Sequence, residues 1–257
     1  MTEQKLDQAP WTIRQTFNGL LLTLGPWIVL ALGLNSLNGN TTPTSITHIS
    51  FEMDLARAIV LAIFSALIEG AFLIAPWYYA NKAFRSIPSH TRLALQALGL
   101  RRFRAGQAFF WIVVLFPAIL GTDILYQYAI TQLHLHLQTN TDVILKSSKE
   151  APLSTYAVLF AAVFIAPFCE EVFFRGFIFP GLHRGMPLVW AIIFSALIFA
   201  TAHADVGSFA VLFIIGIALA LLRWRTGSIW PGMVLHMLNN GIAALTVILV
   251  MRGVISP

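Results

Sequence analysis

Apolar runs long enough to cross a lipid bilayer recur along this chain and are separated by short polar stretches. A hydrocarbon core about 30 Å thick needs roughly 20 apolar helical residues. On that measure the pattern predicts seven helical spans near 17–37, 55–80, 107–131, 153–175, 187–203, 206–223 and 229–250. The expected fold is all-α, a polytopic transmembrane helix bundle forming one integral-membrane domain over 1–257. Between spans two and three, "NKAFRSIPSHTRLALQALGLRRFRAG" sets Leu93, Leu95, Ala97, Leu98 and Leu100 among basic residues. That mixture predicts a short amphipathic helix lying along the membrane interface. Pro26, Pro117 and Pro167 are expected to bend spans or cap their ends. "SLNGNTTPTS" reads as a solvent loop, and "QLHLHLQTNTDVILKSSKE" as a second loop on the outer side. In the latter, His134 and His136 alternate with leucines; solvated side chains are expected there rather than a strand-like metal pair.

Composition agrees with this setting. Hydrophobic residues make up 58% and charged residues 11%, and the mean hydropathy is +0.77, far from soluble usage. The net charge of +5 matters less than its placement. Arg14, Lys82, Arg85, Arg92, Arg101, Arg102, Arg104, Arg184, Arg223 and Arg225, with Lys5, fall on one side of a seven-span chain. Arg57, Lys146, Lys149 and Arg252 fall on the other. Lys and Arg in short loops stay cytoplasmic, so the N-terminus is expected in the cytoplasm and the protein in the cell membrane. A basic stretch between two spans meets anionic headgroups first, so the bilayer and not nucleic acid is the expected partner. The first apolar run also has features of a secretory signal, with "ALG" at 31–33, but a retained span is the expectation. The single cysteine, Cys169, excludes an internal disulfide and is expected to pack.

Candidate chemistry begins where charge enters an apolar run, in "CEEVFFR" at 169–175. Ionisable groups at membrane depth mark either a site or a structural ion pair. Glu170 and Glu171 point about 100° apart on a helix. Glu171 and Arg175, four apart, share a face and can pair, which leaves Glu170 the freer carboxylate. A purely structural cluster of the three fits the segment equally well. Two further stretches add polar groups: "FATAH" places Phe199 and His203 on one helix face, and "HMLNN" does the same for His236 and Asn240. Glu170 and His203 suit the polarisation of a water, and His236 and Asn240 the stabilisation of an oxyanion. Glu170, His203 and His236 also suit a zinc ion with one position left for water. Glu69 is expected to be hydrogen-bonded inside the bundle, Asp123 to reach water near the outer interface, and Asp205 either to orient His203 or to be solvated.

The order E-E-x-x-x-R, F-x-x-x-H and H-x-x-x-N, carried here by "EEVFFR", "FATAH" and "HMLNN", resembles the CPBP intramembrane proteases, also called the Abi family. That family includes the Ras-converting CAAX prenyl endopeptidase and bacteriocin-processing or self-immunity proteins. The resemblance covers roughly residues 150–245 and implies a catalytic four-span core in 151–250 after N-terminal spans and loops in 1–150. It implies that Glu170 activates water with help from His203, that His236 and Asn240 stabilise the oxyanion, that Glu171 and Arg175 support them, and that Phe199 packs the site. It also implies a membrane-tethered peptide or protein as substrate. The family has been described both as metalloproteases and as glutamate peptidases, so zinc and no cofactor both stand. A non-proteolytic immunity or adaptor protein and a proton-coupled transporter are the alternatives.

Depth imposes a condition on that site. A tight turn at Gly185–Pro187 puts Glu170 and His203 about 16 residues from it on either side, at equal depth. His236 lies only some eight residues into its span, so span four is expected to bend or shorten around Gly176, Pro180 and Gly181, with a water-filled cavity opening toward the basic side.

Overall fold

A computed structural model of the protein describes residues 9–37, 49–135 and 137–256. Lys5, His136 and positions 38–48 of the first loop lie outside the described residues. The described residues are helical throughout, with no strand among them. In chain order they form α1 (Ile13–Leu37), α2 (Phe51–Ala71), α3 (Ile74–Phe84), α4 (His90–Ala97), α5 (Ala105–Gln132) and α6 (Asn140–Ser148). Then follow α7 (Pro152–Phe160), α8 (Ala166–Glu170), α9 (Phe179–Gly185), α10 (Leu188–Ala202), α11 (Phe209–Thr226) and α12 (Trp230–Met251). Five helical stretches among the described residues are long and apolar enough to cross a membrane: Phe51–Phe84, Ala105–Gln132, Pro152–Gly185, Phe209–Thr226 and Trp230–Met251. The chain is an integral membrane protein. The other two expected spans correspond to α1 and to Leu188–Ala202, apolar but only 15 residues long. Large apolar side chains such as Leu67, Ile124 and Leu125 are about two-thirds exposed or more, as faces turned toward lipid require.

The long rod Pro152–Gly185 carries the first motif, and its shape follows from two prolines. α7, α8 and α9 are joined by π-helical stretches at Ala161–Ile165 and Glu171–Ile178. Each widened stretch ends just before a proline, Pro167 or Pro180. A proline donates no N–H and its ring crowds the carbonyl four residues back, so the ladder shifts from i−4 to i−5 around it. The second stretch falls where a shortening of span four was expected. At its start the rod is held from outside: the N-cap Ala151 offers no side chain, and Asp54 of α2 accepts instead from the backbone N–H of Leu153 (2.8 Å) and Ser154 (3.0 Å) and from the Ser154 hydroxyl (2.6 Å). A carboxylate at a helix N-terminus satisfies orphan donors and meets the positive end of the dipole.

Helix ends meet in two groups. Gln107 at the start of α5 donates to the Arg225 carbonyl at the end of α11 (2.9 Å), and the Ile229 N–H donates to the Gly99 carbonyl (3.0 Å). At the other end the Tyr126 hydroxyl donates to the Gly207 carbonyl (2.7 Å), and Asp205 accepts from the N–H groups of Asn140 and Ser208. α10 and α11 pack face to face because Gly216 has no Cβ; one there would stand 2.8 Å from the Ala196 Cα. The amphipathic helix is present as α4, but its apolar side is not left to the interface: Ala94, Ala97 and Leu98 are buried against the bundle. His134 is exposed in the turn after α5, at φ 54°.

Asp54→Ala removes three hydrogen bonds to a charged acceptor and should lower stability by roughly 2–4 kcal/mol, read as the unfolding midpoint in detergent. Asp54→Asn, which keeps an acceptor, should lose less. Equal losses for both would show that charge, not the cap, holds α2 to the rod.

Candidate active site

Four elements supply the polar groups. The rod brings Glu170 and Glu171, α10 ends one residue before His203, and α12 carries His236 and Asn240. α11 contributes a backbone carbonyl. Glu171 and Arg175 have no exposed side-chain surface, and Arg175 Nη1 stands 3.0 Å from Glu171 Oε1. That contact lies off the hydrogen-bonding axis, since neither atom gains an aligned bond, so charge rather than directional bonding holds the pair. The guanidinium is steadied on other sides. Nη2 donates to the Gly216 carbonyl (3.3 Å), and Cζ stands 4.2 Å over the Phe199 ring. Gly232 lets α12 approach closely, because a Cβ there would come within 2.7 Å of Glu171 Oε2.

Glu170, one residue earlier, faces a different environment. Its Oε2 is buried and has no hydrogen-bond partner among the described residues. His203 Nε2 stands 3.8 Å away and His236 Nε2 3.9 Å away. Both imidazoles are turned by their other nitrogen. His203 Nδ1 lies 2.8 Å from the Phe199 carbonyl, to which it donates, and this turns Nε2 toward Glu170. His236 Nδ1 lies 3.5 Å from Glu171 Oε1. The Phe199 ring contacts both, with centroids 4.5 Å from His203 and 5.7 Å from His236. His203 is 24% exposed and Glu170 13%, against 3% for His236, so the cluster grades from a dry floor to a reachable rim.

Asn240 lies one turn beyond His236. Its amide donates to the Ala162 carbonyl (2.8 Å) in the first π-helical stretch, and Asn239 donates to its oxygen (3.4 Å). One Asn240 N–H is thereby committed and the other is left for a ligand. Asp205 does not orient His203, because both its oxygens bind backbone N–H groups. Glu69, expected to be hydrogen-bonded, has a buried oxygen with no partner among the described residues and interacts electrostatically with Glu170. An acid in the middle of an apolar span was the only sign of it in the sequence. Cys169 is free and buried.

One carboxylate and two imidazoles are the donor types of a catalytic zinc site, but the spacing differs. Donors about 2.0–2.1 Å from a tetrahedral ion stand roughly 3.4 Å apart, and here the separations are 3.8 and 3.9 Å. Among the described residues, no group of three or more His, Cys, Asp or Glu is placed to hold a metal ion.

Residues 152–242 match the family described as Type II CAAX prenyl endopeptidase Rce1-like. That segment is similar to the Rce1-like family. It contains all three motifs and every residue of the cluster except Glu69. Over 101 residues the chain is also 30% identical to "Putative membrane peptidase YdiL" of Bacillus subtilis (strain 168), an overlap of 39% of this chain and 40% of that protein. The chain thus spans about two-fifths of the length of the curated relative it matches. No solved structure matches.

The buried pair of this segment makes a clear expectation. Arg175→Met strands a carboxylate in a dry site and should cost about 3–5 kcal/mol. Adding Glu171→Gln should recover a good part of that, read as a double-mutant cycle on the unfolding midpoint. Simple additivity of the two losses would mean that the pair is not coupled.

Proposed function

We propose that the protein is an intramembrane endopeptidase of the glutamate type, hydrolysing a peptide bond of a membrane-associated polypeptide. The observation that carries this reading is the unpartnered, buried Oε2 of Glu170 facing two imidazole nitrogens at 3.8 and 3.9 Å. Those separations are too long for direct hydrogen bonds, yet two bonds of about 2.8 Å converging near a right angle on one oxygen span them. A substrate water held there donates one hydrogen to Glu170 Oε2 and the other to His203 Nε2, and its lone pair is free to attack.

The chemistry then follows in balanced steps. The water oxygen bonds to the peptide carbonyl carbon as its proton passes to Glu170. The carbonyl oxygen gains the negative charge and is met by the His236 Nε2–H and the second Asn240 N–H. The other ring nitrogen of His236, Nδ1, faces Glu171 Oε1 at 3.5 Å and sets the direction of that Nε2. Collapse of the tetrahedral intermediate breaks the C–N bond, and Glu170 returns its proton to the leaving amine. Glu171, Arg175 and Phe199 touch no reacting atom in this scheme and act by positioning. The match of 152–242 to a prenyl endopeptidase family supports a membrane-tethered substrate. The asymmetry of basic residues between the two ends supports a cytoplasmic N-terminus in the cell membrane.

The test compares detergent-purified wild type with Glu170→Gln on a membrane-peptide library, with metal analysis of the same preparations. Glu170→Gln should lower kcat by about 100- to 10,000-fold, the usual range for a general base, and wild-type cleavage should withstand chelators. Cleavage surviving in the Gln form would overturn the assignment of the base. Stoichiometric zinc that is lost on changing His203 or His236 would replace the glutamate scheme with a metal one.

A further inference from the structure

A second feature of the molecule lies away from the carboxylate and imidazoles. At the end where α5 and α12 begin and α11 finishes, a broad cavity of about 1570 Å³ opens between these helix ends and the rod. Six arginines line it: Arg92, Arg101, Arg102, Arg104, Arg223 and Arg225. Arg92, Arg102, Arg104 and Arg225 are exposed. Among the described residues, no acid lies at this end. The described acids are at the opposite end (Glu52, Asp54, Asp142, Glu150, Asp205), inside α2 and α5 (Glu69, Asp123), or in the cluster around Glu170.

Some of these cations are held in place by the fold and others are available. Arg101 Nε donates to the Gly227 carbonyl (2.5 Å), and the Ser228 hydroxyl donates to the Arg101 carbonyl (2.9 Å), which fixes the loop before α5 to the α11–α12 corner. The Arg225 guanidinium carbon stands over the Trp224 and Trp111 rings, 4.4 and 4.8 Å from their centroids, contacts that position the group without using its N–H donors. Arg102 and Arg104 make no side-chain hydrogen bond or ion pair among the described residues. The first turns of α5 and α12 contain no acid and their N-caps offer no side-chain cap, so two helix N-termini add their positive ends.

Such a concentration of positive charge suits an anion, and its depth says which kind. Trp224 and Trp230 line the cavity and are 40% and 41% exposed. Tryptophans with an apolar body and a polar edge sit at the headgroup level of a bilayer, and basic pockets between spans at that level take phosphate headgroups. We propose that this cavity is a binding site for an anionic phospholipid headgroup, with Arg102 and Arg104 as its principal free phosphate ligands and Arg225 as a preoriented one. The lipid bridges the α4–α5 loop to the start of α12, six residues before His236, and so braces the helix that carries that imidazole.

The experiment uses the full chain in detergent and native mass spectrometry, titrating dioleoylphosphatidylglycerol against dioleoylphosphatidylcholine, with inorganic phosphate as a separate competitor. Wild type should retain the glycerol lipid preferentially. Arg102→Gln with Arg104→Gln should weaken it about 30-fold, at roughly 1 kcal/mol per arginine. Arg102→Lys with Arg104→Lys should restore much of the loss, and Lys146→Gln with Lys149→Gln at the opposite end should leave retention unchanged. Equal retention of both lipids by wild type, or an unchanged affinity in the double Gln variant, would overturn the site. Displacement of the lipid by millimolar inorganic phosphate would assign the cavity to the free anion and overturn the lipid as its source; lack of displacement supports the headgroup.

Discussion

A carboxylate and a guanidinium with no exposed surface, 3.0 Å apart in the middle of an apolar bundle, set the terms for everything near them. Taking two charges out of water is expensive, and their attraction offsets it only if the surroundings satisfy what each still lacks. Glu171 and Arg175 draw those surroundings from three helices: the Phe199 ring from α10, the Gly216 carbonyl from α11, and the His236 nitrogen from α12, admitted by Gly232. α10, α11 and α12 thus all meet the rod at this one ion pair. Loosen the pair and the imidazoles lose their common reference.

The π-helical stretches are the geometric counterpart of that requirement. A straight rod would have kept Glu170 far from the start of α12, where His236 sits in the second turn. Widening Glu171–Ile178 shortens the path between Glu170 and the end of the rod, and this brings the carboxylate to the level of an imidazole only six residues into its helix. The earlier stretch, Ala161–Ile165, is bound by Asn240 through the Ala162 carbonyl. Irregular turns at functional positions are a recurring use of π geometry. Here each is induced by a proline and each is contacted by α12.

Much of this was legible in the residues themselves. Charge inside an apolar run singled out Glu170, Glu171 and Arg175, and spacings of four placed Phe199 with His203 and His236 with Asn240. Depth alone required a shortened span four, because two straight helices of unequal length cannot present side chains at one level. What stayed hidden depends on contacts between distant segments. Nothing in α2 marks Asp54 as the cap of a helix about a hundred residues later, and Asp205 looked like a partner for His203 because it is near in sequence, whereas its oxygens serve Asn140 and Ser208. The apolar side of α4 matched an interfacial helix equally well, since lipid and a protein groove ask for the same residues. Glu69 illustrates the same limit: its sequence showed an acid in a span, but not which neighbour it would face.

Two adjacent glutamates come to have opposite surroundings through direction alone. A step of about 100° aims Glu171 into a floor with no exposed surface, beside an arginine and an imidazole, and leaves Glu170, 13% exposed, at a rim where no cation is dedicated to it. The buried one is fixed by its partners and can do little else. The other is left with an oxygen that two imidazoles approach without bonding. Glu171 is held by charge between a guanidinium and an imidazole, with no surface open to a ligand, whereas Glu170 keeps an oxygen at a rim that a ligand can reach.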